Sequence, residues 1–214
     1  SFLRGRFEFE IALHQLSGYG NENDKGPIWR ILHDSGVSDR VEILHIPDFY
    51  RSIFPDFTIE VPIGRQNYED ALCSQFPNES AGIKKFTQTI FEFARQAMKA
   101  QRVGMKAVMQ NPSEYPELVG NFGKTLSEVL NPMVSDEKAR AVIGQLWGYM
   151  CQPPSKVAFL IYAITLVSYI RFGPAHVKGT SQSLSQAFID TMESYGGEAW
   201  FNNGAKRILV KDGR

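Results

Sequence analysis

Cysteine is scarce in this sequence, and neither sign of charge is in excess. Cys73 and Cys151 are the two cysteines in 214 residues, and neither belongs to a CxxC pair or a Cys/His cluster. This argues against a disulfide framework and against a zinc site. Lysine plus arginine equals aspartate plus glutamate, at 23 each, so the chain lacks the basic excess typical of nucleic-acid binding. We therefore expect a cytoplasmic protein in a reducing setting, with no nucleic-acid partner.

Catalytic signatures are also absent. The sequence has no GxGxxG, GxSxG, P-loop or HExxH motif, and such motifs supply phosphate cradles, nucleophiles and metal ligands. The histidines are not paired at metal-ligand spacing; they are His14, His33, His45 and His176. We therefore predict no metal site. The N-terminus is charged and alternating, so it does not resemble a signal peptide.

The chain does contain enough apolar material for a core. Hydrophobic residues make up 43% and aromatic residues 12%, which suits a folded globular protein. Alternation over residues 7–13 predicts a half-buried strand. The segments RVEILHI, FYRSIF and FTIEVPI are short, β-branched or aromatic, and broken by prolines. They predict an antiparallel meander between Arg40 and Pro62.

Helices are predicted beyond Gly64. A long amphipathic helix is indicated by apolar residues at spacings of three and four, namely Ile83, Phe86, Ile90, Phe93 and Ala97. Shorter helices are predicted over 125–130 and 136–149, the second with Ser135 as its N-cap. The segment KVAFLIYAITLVSYI is apolar on every face but shorter than the roughly 20 residues of a bilayer crossing. We interpret it as a buried central helix, and such a helix could also line a cavity for a hydrophobic ligand.

The C-terminal region predicts one more helix and a hairpin. The helix starts near Ser181 and ends at Gly196, and strands over 198–202 and 205–211 are joined through Asn202-Asn203-Gly204. The predicted fold class is therefore α+β, an antiparallel sheet with a helical layer. A lone hairpin is marginally stable, so we expect the chain to be part of a larger protein. We also expect the hairpin either to self-associate or to be poorly ordered.

Several stretches, taken in order, resemble one family. They are GRFEFEIALHQLSG, YRSIFPDFTIEVPIG, FPNESAGIKKF, LWGYMCQPPSKVAFLIYAI and the segment from FGPAHVKGTSQ to the end. The first resembles the F-x-F-D-x-G strand of the phytoene desaturase-like NAD(P)/FAD-dependent oxidoreductases, a family that includes carotenoid isomerases and retinol saturases. The last is similar to that family's Y-P-x-G-G region. The resemblance spans nearly the whole chain.

The resemblance implies a division of the chain and a cofactor, FAD. Residues 1–14 would be a strand leading out of an FAD-binding domain, and residues 15–172 the substrate-side α+β domain. Residues 173–214 would be a return helix and hairpin of the FAD-binding domain. The dinucleotide-binding unit would then precede this segment of the protein, so we do not expect these 214 residues alone to hold FAD tightly or to be active.

The implied cofactor contacts include departures from the family pattern. Glu10 stands where the family usually has Asp, and Ala12 where it has Gly. Lys178 and Gly179 occupy a usual Gly-Gly pair, and Ala205 stands where a Val backbone meets the adenine. Because those glycines let the backbone approach the flavin closely, the substitutions at Ala12 and Lys178 put that approach in doubt.

The implied substrate contacts lie next to these motifs and in the central helical stretch. They are His14, His176, Tyr149 and Tyr162. Each histidine, considered alone, is better explained as a structural or exposed side chain than as a functional one. The resemblance implies hydride transfer between the flavin and a hydrophobic polyene or isoprenoid substrate, with the cofactor supplying the reactive chemistry. Contact with a membrane surface is a further expectation.

A second function fits the missing GxGxxG motif. The chain would then be a flavin-free module that binds a lipid-like ligand or a protein partner. The helix and hairpin at the C-terminus argue against this alternative, because such a unit normally belongs to a nucleotide-binding sheet.

Overall fold

The computed structural model describes residues 2–9 and 15–211 and confirms the α+β class. Its strands are β1 Phe2–Arg4, β2 Phe7–Phe9, β3 Leu16–Ser17, β4 Ile43–His45, β5 Asp48–Ile53, β6 Thr58–Pro62 and β7 Pro174–Val177. Its helices are α1 Pro27–Asp34, α2 Arg65–Gln75, α3 Ser80–Val103, α4 Met105–Gln110, α5 Pro116–Asn121, α6 Leu126–Leu130, α7 Glu137–Ile143, α8 Phe159–Phe172 and α9 Thr180–Ser194. Short 3-10 helices cover Ser38–Arg40, Pro77–Glu79, Pro112–Glu114 and Gln145–Met150.

The strands form three small antiparallel sheets, and one predicted pairing is wrong. β1 pairs with β2, β5 pairs with β6, and a three-stranded sheet has the order β3-β7-β4. The hairpin of β5 and β6 agrees with the predicted meander, but β4 does not belong to it. Ile43 lies opposite Val177 instead. Val177 is fully buried, so burial against a distant strand outweighs pairing with the next strand in sequence.

The main core is built from helices packed on one face of the β5–β6 hairpin. Phe49, Ile59 and Val61 alternate with exposed neighbours along these two strands, and all three are buried. At the centre α3 packs against α8, where the rings of Phe93 and Phe159 meet edge to face, 4.9 Å apart. The predicted central helix is therefore confirmed, although α8 also exposes two isoleucines to solvent, Ile161 and Ile164.

A smaller apolar cluster surrounds the three-stranded sheet. Leu16, Ala175 and Val177 are buried between the strands and their flanking helices. Beside them Leu32 and Ala187 bring α1 and α9 together. The strands and helices between residues 16 and 43 thus pack with residues 174–187. The division of the chain into 1–14, 15–172 and 173–214 stays a prediction.

Local signals set some helix ends and mispredict others. Thr125 caps α6 through a reciprocal capping box with Glu128, which agrees with the predicted start of that helix. The predicted helix over 136–149 is shorter, because α7 ends at Ile143 before Gly144 and a 3-10 helix follows. The N-cap of α7 is Asp136, not the predicted Ser135. The backbone N–H and the hydroxyl of Ser135 donate instead to the Glu79 carboxylate.

The predicted strands over 198–202 and 205–211 are wrong. The structure has a turn at residues 201–202 and no strand between 197 and 211. Apolar side chains there stay largely exposed, among them Trp200, Phe201, Ile208 and Val210. A strand forms only when a neighbouring strand satisfies its backbone N–H and C=O groups, and within the described residues none lies beside this segment. The predicted strand over 7–13 reaches Phe9 as β2, and residues 10–14 lie outside the described residues.

Three tyrosines come together near the C-terminal end of α7; Tyr68 and Tyr162 are fully buried and Tyr50 is half-buried. The Tyr50 hydroxyl donates to the carbonyl of Val142 at 2.9 Å, and the Tyr162 hydroxyl donates to the carbonyl of Ile143 at 2.6 Å. The buried Tyr68 hydroxyl faces the Tyr50 hydroxyl, but among the described residues it has no partner at good hydrogen-bonding geometry. Burial raises the pKa of all three phenols above the ordinary value, so each stays protonated at neutral pH.

Gly82 is a residue that the fold requires. A β-carbon at Gly82 would lie 1.8 Å from the carbonyl oxygen of Met133, whereas a β-carbon at Gly120 would meet nothing within 4 Å. We expect Gly82→Ala to lower the free energy of unfolding by about 1–3 kcal/mol through overpacking. The control Gly120→Ala, in α5, should change it by less than about 1 kcal/mol, in the stabilising direction. Urea unfolding followed by circular dichroism measures both, and equal effects would contradict the close approach.

The tyrosine cluster leads to a second prediction. Tyr162→Phe removes a buried hydrogen bond and should lower the free energy of unfolding by about 1 kcal/mol or more. Tyr68→Phe removes a buried hydroxyl that has no partner, so it should be neutral or stabilising by up to about 1 kcal/mol. The same urea titration separates the two variants. A loss for Tyr68→Phe as large as that for Tyr162→Phe would show that the Tyr68 hydroxyl has a partner.

Candidate functional site

The turn from β7 into α9 carries two of the predicted cofactor contacts. Gly179 has φ +81°, and the next residue, Thr180, is also left-handed at φ +71°. The hydroxyl of Ser183 donates to the carbonyl of Gly179 at 2.7 Å and closes the turn. A β-carbon at Gly179 would lie 2.3 Å from that hydroxyl oxygen. The chain therefore needs glycine here to pass from strand to helix.

Lys178 is attached to the neighbouring strand. Its backbone N–H donates to the carbonyl of Glu42 at 2.9 Å, and its ammonium lies 2.7 Å from the Glu42 carboxylate. Both side chains are more than half exposed, so this ion pair is weak and its partners can exchange. The structure thus places a cation, held by an acidic neighbour, just before the start of α9.

His176 lies in β7, two residues before Lys178. It is half-buried between Ala175 and Val177, which are both buried, and it lies opposite Leu44 of β4. His14, Glu10 and Ala12, the other predicted residues near this motif, lie outside the described residues. Ala205 is exposed in the C-terminal segment that forms no strand.

The two predicted substrate tyrosines have different surroundings. Tyr162 is fully buried in the core, with its hydroxyl on the carbonyl of Ile143. Tyr149 lies in the 3-10 helix over Gln145–Met150 and is 53% exposed, with its ring 6.5 Å from the ring of Tyr169. Tyr162 thus anchors the helices, while Tyr149 is open to solvent. Tyr50 and Tyr68 were not predicted, because no spacing in the sequence links them to Tyr162.

An apolar pocket lies at the C-terminal end of α3. It has a volume of about 310 Å³ between α3, α4, α5 and α8. Most of its lining is apolar: Ala97, Ala100, Met105, Leu118, Phe122 and Leu160. The two helices predicted to line a cavity, α3 and α8, both contribute to it. Its volume lies at the lower end of the range for small-molecule sites, so it can accept part of a hydrophobic molecule.

A larger open groove runs along another side of α3. We call it the basic groove, with a volume of about 780 Å³ between α3, the start of α2 and the end of α8. Its cationic lining residues are Arg65, Arg95, Lys99, Arg102 and Arg171, and its lining carboxylate is Glu92. Hydrogen bonds from Arg95 and Gln96 lower the pKa of Glu92 to about 2. The groove is therefore charged across the whole neutral pH range.

Neither a metal-binding cluster nor a bilayer-spanning helix is found among the described residues. Within residues 2–9 and 15–211, no cluster of three or more His, Cys, Asp or Glu side chains is placed to hold a metal ion. Across the same described residues, no helix combines the length and apolarity that crossing a bilayer requires.

The chain is similar to one curated enzyme over its whole length, and no protein-family model matches it. It is 20% identical over 234 aligned residues to all-trans-retinol 13,14-reductase of Danio rerio. The alignment covers 100% of this chain and 37% of that protein, so the chain spans little more than a third of its relative. The relative is a reductase named for a retinoid, which weakly supports the resemblance to the retinol saturase branch and an oxidoreductase role.

Proposed function

We propose that the chain is the substrate-side part of an FAD-dependent oxidoreductase that acts on a hydrophobic, isoprenoid-like molecule. The observation that carries this proposal is the similarity to a retinol reductase along every part of the chain. The apolar pocket adds support, because α3 and α8 provide an apolar surface for such a molecule. The domain roles of 1–14, 15–172 and 173–214 and the polyene or carotenoid character of the substrate belong to the same proposal.

The turn before α9 fits a flavin contact in one respect. Gly179 has no β-carbon on a left-handed turn, which is the feature that a close approach of backbone to a flavin requires. Lys178 adds a positive charge that Glu42 holds only through an exposed ion pair. We propose that Lys178 and Gly179 contact the cofactor, together with Glu10, Ala12 and Ala205. Bound FAD would supply hydride transfer, while this chain orients the substrate and keeps water away.

We further propose His14, His176, Tyr149 and Tyr162 as residues of the substrate side. Tyr162 would act by fixing the helices through its bond to the Ile143 carbonyl, since its ring is fully buried. Tyr149 and His176 are accessible enough to touch a ligand directly. We also keep as proposals a cytoplasmic location, contact with a membrane surface, and self-association through the exposed apolar residues of the segment 198–211.

A second candidate function is a flavin-free module that binds a lipid-like ligand or a protein partner. The apolar pocket favours it, because the pocket is formed by this chain alone. The departures at Ala12 and Lys178 from the family's glycines favour it as well. The similarity to a named reductase opposes it.

The proposed function predicts flavin in the protein that the complete gene encodes. That protein should purify with flavin absorption bands and should reduce all-trans-retinol, used as the probe substrate, in the presence of a reductant. The 214 residues alone should not retain flavin. A complete gene product that lacks flavin but still binds retinol would favour the flavin-free module.

A matched pair of glycine variants tests the cofactor contact within that protein. Gly179 and Gly196 both have positive φ, +81° and +84°, and they lie near opposite ends of α9. Alanine at either position carries a similar backbone strain of about 1 kcal/mol. At Gly179 the new β-carbon would also crowd the Ser183 hydroxyl, so both glycine variants are made in a Ser183→Ala background, whose flavin content is the reference. We expect Gly179→Ala to lower the flavin content of the purified protein several-fold, while Gly196→Ala leaves it unchanged. Equal flavin content in both variants would remove Gly179 from the cofactor site.

A further inference from the structure

Most cations of the basic groove already have a carboxylate partner, and most of these ion pairs are exposed to solvent. Arg65 pairs with Glu69 at 3.0 Å, Lys99 pairs with Glu114 at 2.8 Å, and Arg95 pairs with Glu92. The cations of these pairs are 45–62% exposed. The carboxylates of the Arg95 and Lys99 pairs are 37% and 56% exposed, whereas Glu69 is 10% exposed and holds Arg65 in place. Exposed ion pairs contribute about 0–1 kcal/mol each, so an anionic ligand can compete for Arg95 and Lys99 at little cost.

Arg102 and Arg171 are two further cations that line the groove. Arg171 binds Asp24 through two hydrogen bonds, of 2.9 Å and 3.0 Å, from the last turn of α8. Arg102, in the last turn of α3, forms no ion pair with any residue that the structure describes. Guanidinium groups present planar, forked donors that match carboxylate and phosphate oxygens. The groove therefore offers an anion at least one guanidinium that needs no displacement of a carboxylate.

The groove also has an apolar floor. Phe91 is half-buried beneath Arg65, whose guanidinium carbon lies 5.0 Å from the ring centroid. Met98 is 51% exposed on the same face of α3, and Val167 approaches from α8. A volume of about 780 Å³ is much larger than a bare phosphate needs and falls within the range of small-molecule sites. The combination suits a molecule with one anionic head and one apolar chain.

We propose that the basic groove binds an anionic amphiphile, with a phosphate or carboxylate head on the arginines and a hydrocarbon chain along Phe91, Met98 and Val167. This site is separate from the apolar pocket, because no residue lines both. It does not depend on bound flavin, so it can be tested on this chain whatever the outcome for the oxidoreductase proposal. An acidic peptide or a membrane surface would use the charges but has less need of the apolar floor.

The experiment is isothermal titration of the 214-residue chain with monomeric probes kept below their critical micelle concentration. Dodecyl phosphate and dodecanoate should each bind saturably at one site, and the tighter of the two identifies the preferred head. Dodecanol and inorganic phosphate should each bind at least about tenfold more weakly than dodecyl phosphate. Dodecanol lacks the anionic head, and inorganic phosphate lacks the hydrocarbon chain. Circular dichroism of each variant confirms that it is folded.

Matched variants locate the site. Arg95→Gln with Arg102→Gln should weaken dodecyl phosphate binding about tenfold or more. The control Lys85→Gln with Lys156→Gln removes the same charge from exposed residues outside the groove and should leave binding unchanged. Met98→Gln should weaken dodecyl phosphate several-fold, whereas Met109→Gln, at an exposed methionine outside the groove, should not.

Four outcomes would overturn the proposal. If dodecanol binds as tightly as dodecyl phosphate, the site recognises only the hydrocarbon chain and the arginines contribute nothing. If inorganic phosphate binds as tightly as dodecyl phosphate, the groove is a simple anion site. Binding to vesicles that contain an anionic phospholipid, without binding of the monomeric probes, would make this face a membrane surface. Binding of an acidic peptide, again without the monomeric probes, would make it a protein interface.

Discussion

The packing of α3 against α8 is the contact on which the rest of the structure depends. Phe93 and Phe159 are fully buried where the two helices cross, and burial of one such side chain contributes about 1.5–3 kcal/mol. Helices α2 and α5 pack on α3, and α6 packs on α8. The β5–β6 hairpin joins the same core through Phe49 and Val61. Loss of the α3–α8 contact would therefore remove the centre around which the other helices of the main core pack.

Helices α3 and α8 together line both the apolar pocket and the basic groove. The buried face of α3 is apolar, but its two flanks differ. Near the end of α3, small residues such as Ala97 and Ala100 leave room for the apolar pocket. Along the other flank, Arg95, Lys99 and Arg102 recur at helical spacing and line the basic groove. Two openings of different chemistry thus share one structural support.

The proposed function rests on the similarity to a retinol reductase. The structure adds the position of the Gly179 turn, which lies beside β4. The three-stranded sheet brings β7 and the Gly179 turn next to β4, so Lys178 is held by Glu42. An enzyme that uses FAD needs little acid–base machinery from this part of the chain, because the cofactor carries the reactive chemistry. The relative's remaining length, outside the alignment, is where the cofactor domain is proposed to lie.

Sequence alone determined those features that depend on neighbouring residues. The apolar spacing from Ile83 to Ala97 predicted α3, and the Thr125–Glu128 capping box marked the start of α6. The short β-branched and aromatic segments between prolines predicted the hairpin of β5 and β6. Each signal comes from residues within a few positions of one another, and local periodicity records which face of an element is buried.

Only the tertiary structure decided which distant segments meet. The pairing of β4 with β7 joins Ile43 to Val177, and the tyrosine cluster joins Tyr50, Tyr68 and Tyr162, which no periodicity links. The predicted strands at the C-terminus failed for a related reason, since a strand requires a partner and a turn signal does not provide one. The basic groove likewise arises because Arg65 and Arg171, distant in sequence, come to the same side of α3. Contacts of this kind depend on how whole elements pack together, and that information is not contained in any short stretch of the chain.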